Sequence, residues 1–361
     1  MNIYDSNLWF SDLDEIIEVL PELKELEGKS ILVTGSTGLI CSALIDVLIR
    51  WNTTHDNKII VHVAGRNENK IKQRFSPYYN EKWFRFVQYD ASYCTNRFDF
   101  FCDYIIHGAS NASSNKIVKE PVETMMSNFI GMKYLLDYAK IVDAKRVLYI
   151  STSEVYGKKA YNRPSKIDEY GSIDILNPRN SYSIGKCAAE TLCVSYYDEY
   201  NVDSVIVRPG HIYGPTATVS DNRVSSAWAY AVARGEDIVM KSNGTQTRSY
   251  CYCLDCVSAI FKILLKGKSA NAYNVSNPNS IISIKRMAEI LAKSSGVNIK
   301  VETPSEFDRK KFNPMMNSSL DSADLLKLGW SGLFDAERGF GHTIAILKKI
   351  QVHDNCKKHI K

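Results

Sequence analysis

Residues 30–41 read SILVTGSTGLIC. An apolar run ends at Gly35, a second glycine follows at 38, and helical spacing then continues through 41–51 (CSALIDVLIRW). Glycine at 35 lets the chain turn sharply. Glycine at 38 lets backbone N–H groups approach a pyrophosphate at the N-terminus of a helix. Two glycines alone describe a plain turn equally well. Their place between the first apolar strand and the first helix makes them a candidate dinucleotide loop, with Gly35, Thr37, Gly38, Leu39 and Ile40 as its contacts. The third glycine of such a loop is replaced by Cys41, a side chain small enough for close helix–strand packing.

The same alternation continues outward from this loop. Apolar, β-rich runs at 58–65, 83–90, 103–110, 146–153 and 204–210 are separated by helical stretches, notably 121–141 and 180–200. Strands that are apolar throughout and alternate with helices predict a parallel sheet covered on both faces, a doubly wound Rossmann α/β fold. Residues 8–26, broken at Pro21, predict an amphipathic helical extension (1–29) packed on the domain or on a partner subunit. Residues 30–210 then form the NAD(P)-binding domain. Beyond 210 the pattern mixes short strands (237–240, 272–275) with helices near 222–234, 254–266, 283–295 and 335–350. This predicts that 211–361 is mainly a smaller substrate-binding lobe, with some segments returning to the first domain.

Composition narrows the function classes. The chain has 361 residues, 45% hydrophobic and 24% charged, with 45 basic against 40 acidic side chains. The charges are interspersed, so neither nucleic acid nor a membrane surface is an expected partner. No apolar run approaches the ~18 residues of a membrane span. The acidic first residues predict no signal peptide. Nine irregularly spaced cysteines predict reduced thiols in a cytoplasmic protein. Cys251, Cys253 and Cys256 offer three sulfurs without a fourth ligand, so no metal site is expected.

Chemistry concentrates at the expected strand ends. The second strand ends in Arg66, where an NAD site would place an acid, so the sequence favours NADP over NAD; a solvated arginine opening the next helix would look the same. Asp90 ends the third strand, placed to accept from an adenine amino group or simply to cap a loop. Tyr182 and Lys186 are four residues apart, on one face of a helix. An ammonium beside a phenol lowers its pKa, which predicts a Tyr182 able to take a proton from a sugar hydroxyl. Thr152 ends the fifth strand and can hydrogen-bond the same hydroxyl. Glu154, two residues on, is a carboxylate for acid–base work at a neighbouring carbon. His107 and Tyr156 read as packing residues.

Taken with His107-Gly-Ala-Ser110, Asn128, Arg208-Pro-Gly210, His211-Ile-Tyr-Gly-Pro215, Gln246-Thr-Arg248, Tyr273-Asn-Val275 and Leu326-Lys-Leu-Gly-Trp330, these residues carry a resemblance over 30 to about 350. The chain resembles the extended short-chain dehydrogenase/reductase family, in its NAD(P)-dependent nucleotide-sugar epimerase/dehydratase branch. The resemblance implies a catalytic set of Thr152, Glu154, Tyr182 and Lys186, and adds Ala109 and Pro209 to the cofactor contacts. It implies substrate contacts at Ser153, Arg179, His211, Arg223 and Arg248. Ser153-Glu154, Asn177-Pro-Arg179 and Asp221-Asn-Arg223 are most similar to UDP-glucuronate decarboxylases. Arg66, Lys241 and His211 depart from that pattern. A 4,6-dehydratase, a 4-epimerase and an NADPH-dependent 4-keto-sugar reductase are the alternatives. A non-catalytic NAD(P)-binding regulator would have lost Tyr182 or Lys186, and both are present. The family commonly forms homodimers, here expected through helices 121–141 and 180–200 and the faces of Met125, Phe129, Met132, Leu136, Cys193 and Tyr197.

Overall fold

The computed structural model describes residues 2–93, 96–112, 114–304 and 315–358, without the side chains of 114–115 and 351–358. Cys94 and the Cys356 side chain lie outside the described residues. In chain order the main strands are β1 (Ser30–Thr34), β2 (Ile60–Gly65), β3 (Phe84–Gln88), β4 (Tyr104–His107), β5 (Arg146–Ile150) and β6 (Ser204–Pro209). Shorter strands follow: β7 (His211–Tyr213), β8 (Ile238–Met240), β9 (Thr247–Tyr252), β10 (Ala272–Val275), β11 (Ile281–Ser283) and β12 (Ile299–Val301). The helices are α1 (Asn7–Glu18), α2 (Leu39–Thr54), α3 (Glu68–Arg74), α4 (Ser114–Lys119), α5 (Pro121–Val142), α6 (Ser181–Tyr200), α7 (Val224–Ala233), α8 (Cys253–Lys266) and α9 (Ile284–Lys293). A short helix (Ala323–Lys327) and a C-terminal helix (Ala336–Lys358) complete the chain.

Seven strands form one parallel sheet in the order β10-β6-β5-β4-β1-β2-β3. The alternating pleat of β1 serves two cores. Ile31 and Val33 join α2 and α8 on one face, while Leu32 joins the α5 and α6 layer on the other. The strand order reverses between β1 and β4, which opens a crevice at their carboxyl ends, where such sheets bind ligands. The seventh strand, β10, lies far along the chain in the region read as the second lobe. It returns to pair with β6 from Ala272–Ile206 to Val275–Pro209. The lobe itself carries a sheet of β11, β9 and β7 and the β8–β12 pair.

The N-terminal extension packs on its own chain. Trp9, Leu13, Ile16, Leu20, Leu23 and Leu26 are all buried in the α2–α8 core, a burial worth on the order of 10 kcal/mol before ordering costs. Polar contacts pin it to α2, β9 and the C-terminal helix. Tyr4 donates to Asp46 of α2 at 2.6 Å, and Asp12 accepts from Tyr252 at 2.9 Å and pairs with His342 at 2.8 Å. No helix among the described residues is long and apolar enough to cross a membrane.

Candidate active site

The glycine loop has the geometry its sequence requires. Gly35 has φ +72°, and a Cβ there would lie 2.6 Å from the Gly108 carbonyl and 2.7 Å from the Ala109 nitrogen. Both conformation and space therefore demand glycine. Gly38 caps α2 without a side-chain acceptor, so no capping side chain takes up the first-turn N–H groups of the helix. Cys41 stands where the third glycine was expected, and the chain compensates at Gly108, whose added Cβ would meet the Cys41 sulfur at 2.3 Å. Burial pushes the Cys41 thiol up to about 12, so it is a packing group. These features fit a dinucleotide pyrophosphate at the α2 terminus. Around the same crevice, Ser36 donates to the Ala64 carbonyl at 2.8 Å and Ala109 N–H reaches Thr34 Oγ1 at 3.3 Å. Pro209 is buried at the end of β6. Arg66 is exposed and makes no ion pair among the described residues. The Asp90 carboxylate accepts the Ser92 N–H at 2.9 Å, the loop-capping contact that its position allows.

Thr152, Glu154, Tyr182 and Lys186 meet beyond β5. Thr152 caps a single 3-10 turn (Ser153–Tyr156) by accepting the Glu154 N–H at 3.2 Å. The turn ends at Gly157, φ +60°, where a Cβ would strike the Ser172 carbonyl at 2.5 Å. This turn folds Glu154 back toward α6, where its carboxylate accepts from Ser183 at 3.2 Å and lies 3.8 Å from Arg179. Tyr182 sits in the first turn of α6, buried, with a hydrogen bond to Thr152. Lys186, one turn later, is also buried and donates to the Ile150 carbonyl at 2.7 Å.

The expected lowering of the Tyr182 pKa is not produced by this arrangement. Burial and the nearby Glu154 carboxylate raise it, with the Thr152 hydrogen bond opposing. The Lys186 ammonium is spent on Ile150, 5.8 Å from the Tyr182 ring centroid, and its own pKa is pushed down to about 7 by burial. Spacing brought the two residues onto one face, but desolvation outweighs their mutual effect.

On the lobe side, Arg248 is buried, and among the described residues its guanidinium donates only to the Thr247 carbonyl at 2.9 Å. His211 Nδ1 is buried without a partner, and burial followed by the charges of Arg248 and Arg223 pushes this histidine down to about 3. It is therefore a neutral imidazole between two cations. Arg223 is exposed and grips Asp221 through Nε at 3.0 Å. The buried Gln246 Oε1 is also unpartnered. Sequence reasoning gave no role to several further groups at the strand ends. The oxygens of Ser110, Asn128, Tyr149, Ser151 and Ser181 are all buried without hydrogen bonds. Buried polar atoms are almost always paired, and a cluster of exceptions marks a place where a ligand supplies partners. Only their position beside the glycine loop and Tyr182 could have shown this in the sequence.

Two other expectations meet the packing. His107 is buried, bonded to Thr34 Oγ1 at 2.7 Å and pushed down to about 3 by burial, as a packing histidine is. Tyr156 is a buried strut that donates to Asn274 at 2.6 Å. Met132, Leu136 and Cys193, expected on a subunit contact, are instead interior to one chain, between α5, α6 and the sheet. Met125, Phe129 and Tyr197 remain 38%, 37% and 39% exposed.

Fold and site together define a dinucleotide-binding α/β protein with a Tyr–Lys pair at the carboxyl edge of its sheet. The chain belongs to the NAD dependent epimerase/dehydratase family, whose model matches residues 31–276. It is 29% identical over 341 residues to UDP-glucuronic acid decarboxylase 1 of Xenopus tropicalis, covering 94% of this chain and 76% of that one. It is 31% identical to UDP-glucuronic acid decarboxylase 6 of Arabidopsis thaliana, covering 78% of this chain and 80% of the relative. The fold is shared with the UDP-glucuronic acid 4-epimerase of Bacillus cereus, solved with UDP-glucuronic acid and NAD (TM-score 0.72, 21% identity, 89% of this chain and 99% of that one). It is shared also with an epimerase of Methanothermobacter thermautotrophicus (TM-score 0.78, 18% identity, 94% and 97%).

Proposed function

We propose that this protein modifies a nucleotide-linked sugar through oxidation at C4, and that its reaction is the decarboxylation of UDP-glucuronate. The observation that carries the substrate side is Arg248, a buried guanidinium with no carboxylate among the described residues. A charge left so poorly compensated in low dielectric favours an anionic ligand, here the diphosphate, with His211, Arg223, Arg179 and Ser153 as further contacts. Relatives bearing the decarboxylase name, similar over most of the chain, support the same reading.

Residues 30–210 hold the dinucleotide at the α2 terminus, and residues 211–361 mainly shape the sugar-nucleotide side. When bound there, the nicotinamide supplies the acceptor for the C4 hydride. Tyr182 accepts the proton of the C4 hydroxyl, with Thr152 orienting that hydroxyl. Tyr182 must be the phenolate to take that proton, and Lys186, in its ammonium form, stabilises this phenolate before the transfer. With a keto group at C4, the C5 carboxylate of a glucuronate leaves as CO2, because the bond's electrons pass into the carbonyl as an enolate. Glu154 stands at C5, where it steers the departing carboxylate and the proton that replaces it, and return of the hydride to C4 completes the pentose. Arg66, exposed and without an ion pair among the described residues, favours NADP, and with it the alternative of an NADPH-dependent 4-keto-sugar reductase. Dissociation constants for NAD+ and NADP+ before and after Arg66→Ala test that preference; an unchanged ratio makes Arg66 a bystander. The exposed faces of Met125, Phe129 and Tyr197 pair two chains of a cytoplasmic homodimer, which light scattering at micromolar concentration checks.

The deciding experiment incubates the protein with UDP-, dTDP-, GDP- and CDP-sugars and weighs the products. Conversion of UDP-glucuronate to a UDP-pentose with CO2 release is the outcome expected. Loss of water from another sugar makes it a dehydratase. Gain of two hydrogens makes it a reductase, and an isomer of equal mass makes it an epimerase.

A further inference from the structure

Lys186 is a cation in an unusual position. It is buried, and Glu190, the carboxylate that most favours its charge, is already engaged by Arg208 at 3.0 and 2.7 Å. Its one hydrogen bond goes to the Ile150 carbonyl. The groups around it are Tyr182, Glu190 and Cys193 on α6, Cys41 on α2, His107 on β4 and Tyr149 on β5. Burial keeps both thiols protonated and His107 neutral, so none of these three offsets the ammonium.

Tyr149 is different. Its ring lies with the Lys186 nitrogen 4.7 Å from the ring centroid, nearer than the Tyr182 ring. Behind it the His107 ring runs nearly parallel, 5.7 Å away at 22°, and fixes its orientation. The Tyr149 hydroxyl is buried and makes no hydrogen bond. That hydroxyl is not bonded to the ammonium, so what Tyr149 presents to Lys186 is the face of its ring. A desolvated ammonium over an aromatic face is attracted by the ring quadrupole.

We propose that Tyr149 is a positioning residue whose ring face keeps the Lys186 ammonium charged and in place beside Tyr182. The proposal rests on the reading of Lys186 as the partner of Tyr182 for its functional meaning, but its first test does not need turnover. The protein is labelled with 13Cε-lysine, the Lys186 resonance is assigned with Lys186→Arg, and its titration is followed by NMR. Tyr149→Leu removes the π face at similar bulk and lowers the Lys186 midpoint by about one pH unit. Tyr149→Phe keeps the face and leaves the midpoint where it was. Should Tyr149→Leu fail to fold, Tyr149→Met makes the same comparison. A midpoint unmoved by the loss of the ring, or one that falls equally in Tyr149→Phe, overturns the proposal. The pH profile of nicotinamide reduction is then measured on the same variants, and its limb moves with the NMR midpoint. If the midpoint moves and the profile does not, the role of Tyr149 stands and the catalytic assignment of Lys186 fails.

Discussion

Two arginines, Arg208 on β6 and Arg248 on β9, are 3% and 4% exposed, yet their surroundings have nothing in common. Arg208 is saturated. It holds Glu190 at 2.7 Å, Tyr156 at 3.0 Å, Tyr170 at 2.8 Å and the Ile167 carbonyl at 2.9 Å. Arg248 has one backbone carbonyl, that of its own neighbour. The first region uses a buried charge to tie β6, α6 and the loop before α6 into one body. The second carries the cost of a buried charge without that return, since desolvation lowers its pKa and no carboxylate among the described residues opposes it. A fold keeps such a group when its partner arrives from outside.

The largest effect separates both arginines from the reacting group. Tyr182→Phe removes only the proton-transferring hydroxyl, so turnover falls by about a thousandfold or more while dinucleotide affinity, measured by titration, stays near that of the parent. Retention of a substantial part of the activity would remove Tyr182 from the chemistry. Arg208→Met strands Glu190 in the interior and costs about 3–5 kcal/mol in chemical denaturation, leaving UDP affinity of the folded protein unchanged. Arg248→Met does the reverse. Stability is held or improved, and UDP binding by calorimetry weakens by about tenfold to a hundredfold, the worth of a charge-assisted phosphate contact. If Arg248→Met binds UDP like the parent, the contrast between the two regions collapses.

The smallest effect concerns His107, which burial keeps neutral. His107 is held near 3 against an ordinary 6.5, so below 6.5 the unfolded chain takes up a proton that the folded one excludes. Its contribution is complete above pH 6.5 and is lost as pH falls toward 3, by about 2 kcal/mol at pH 5. In His107→Gln, denaturation midpoints at about pH 7 and about pH 5 differ less than in the parent by that amount. An unchanged difference means His107 is charged in the folded state.

The parts of this molecule set by local spacing were legible in the sequence. The glycine loop, the strands from β1 to β6 and the Tyr182–Lys186 pair all lie within a turn or a strand of the residues that define them. What depended on distant packing was not. Strand β10 is four residues long and pairs with β6 across more than sixty residues of intervening chain, so its apolar run carried no sign of which sheet it joins. Helices α5 and α6 are apolar on more than one side, and periodicity could not tell that Met132, Leu136 and Cys193 face inward. The identity of Arg248 was readable; its lack of a carboxylate partner among the described residues was not, because that is a property of everything packed around it. The Tyr182 pKa was misjudged for the same reason. Proximity of a lysine is visible in sequence, whereas the desolvation that outweighs it appears only in three dimensions.

Under the proposed function, oxidation at C4 and a separate step at C5 occur in one site, and Glu154 belongs only to the second. A single turnover with UDP-glucuronate tests it, following reduced-nicotinamide absorbance and released CO2 together in the parent and in Glu154→Gln. The account predicts that the variant still reduces the nicotinamide, then stalls with the reduced cofactor accumulated and little CO2 evolved. Parent-like CO2 release by Glu154→Gln contradicts it. So would full activity of that variant with NADPH and a 4-keto sugar alongside a parent enzyme inert toward UDP-glucuronate, which would make the protein a reductase.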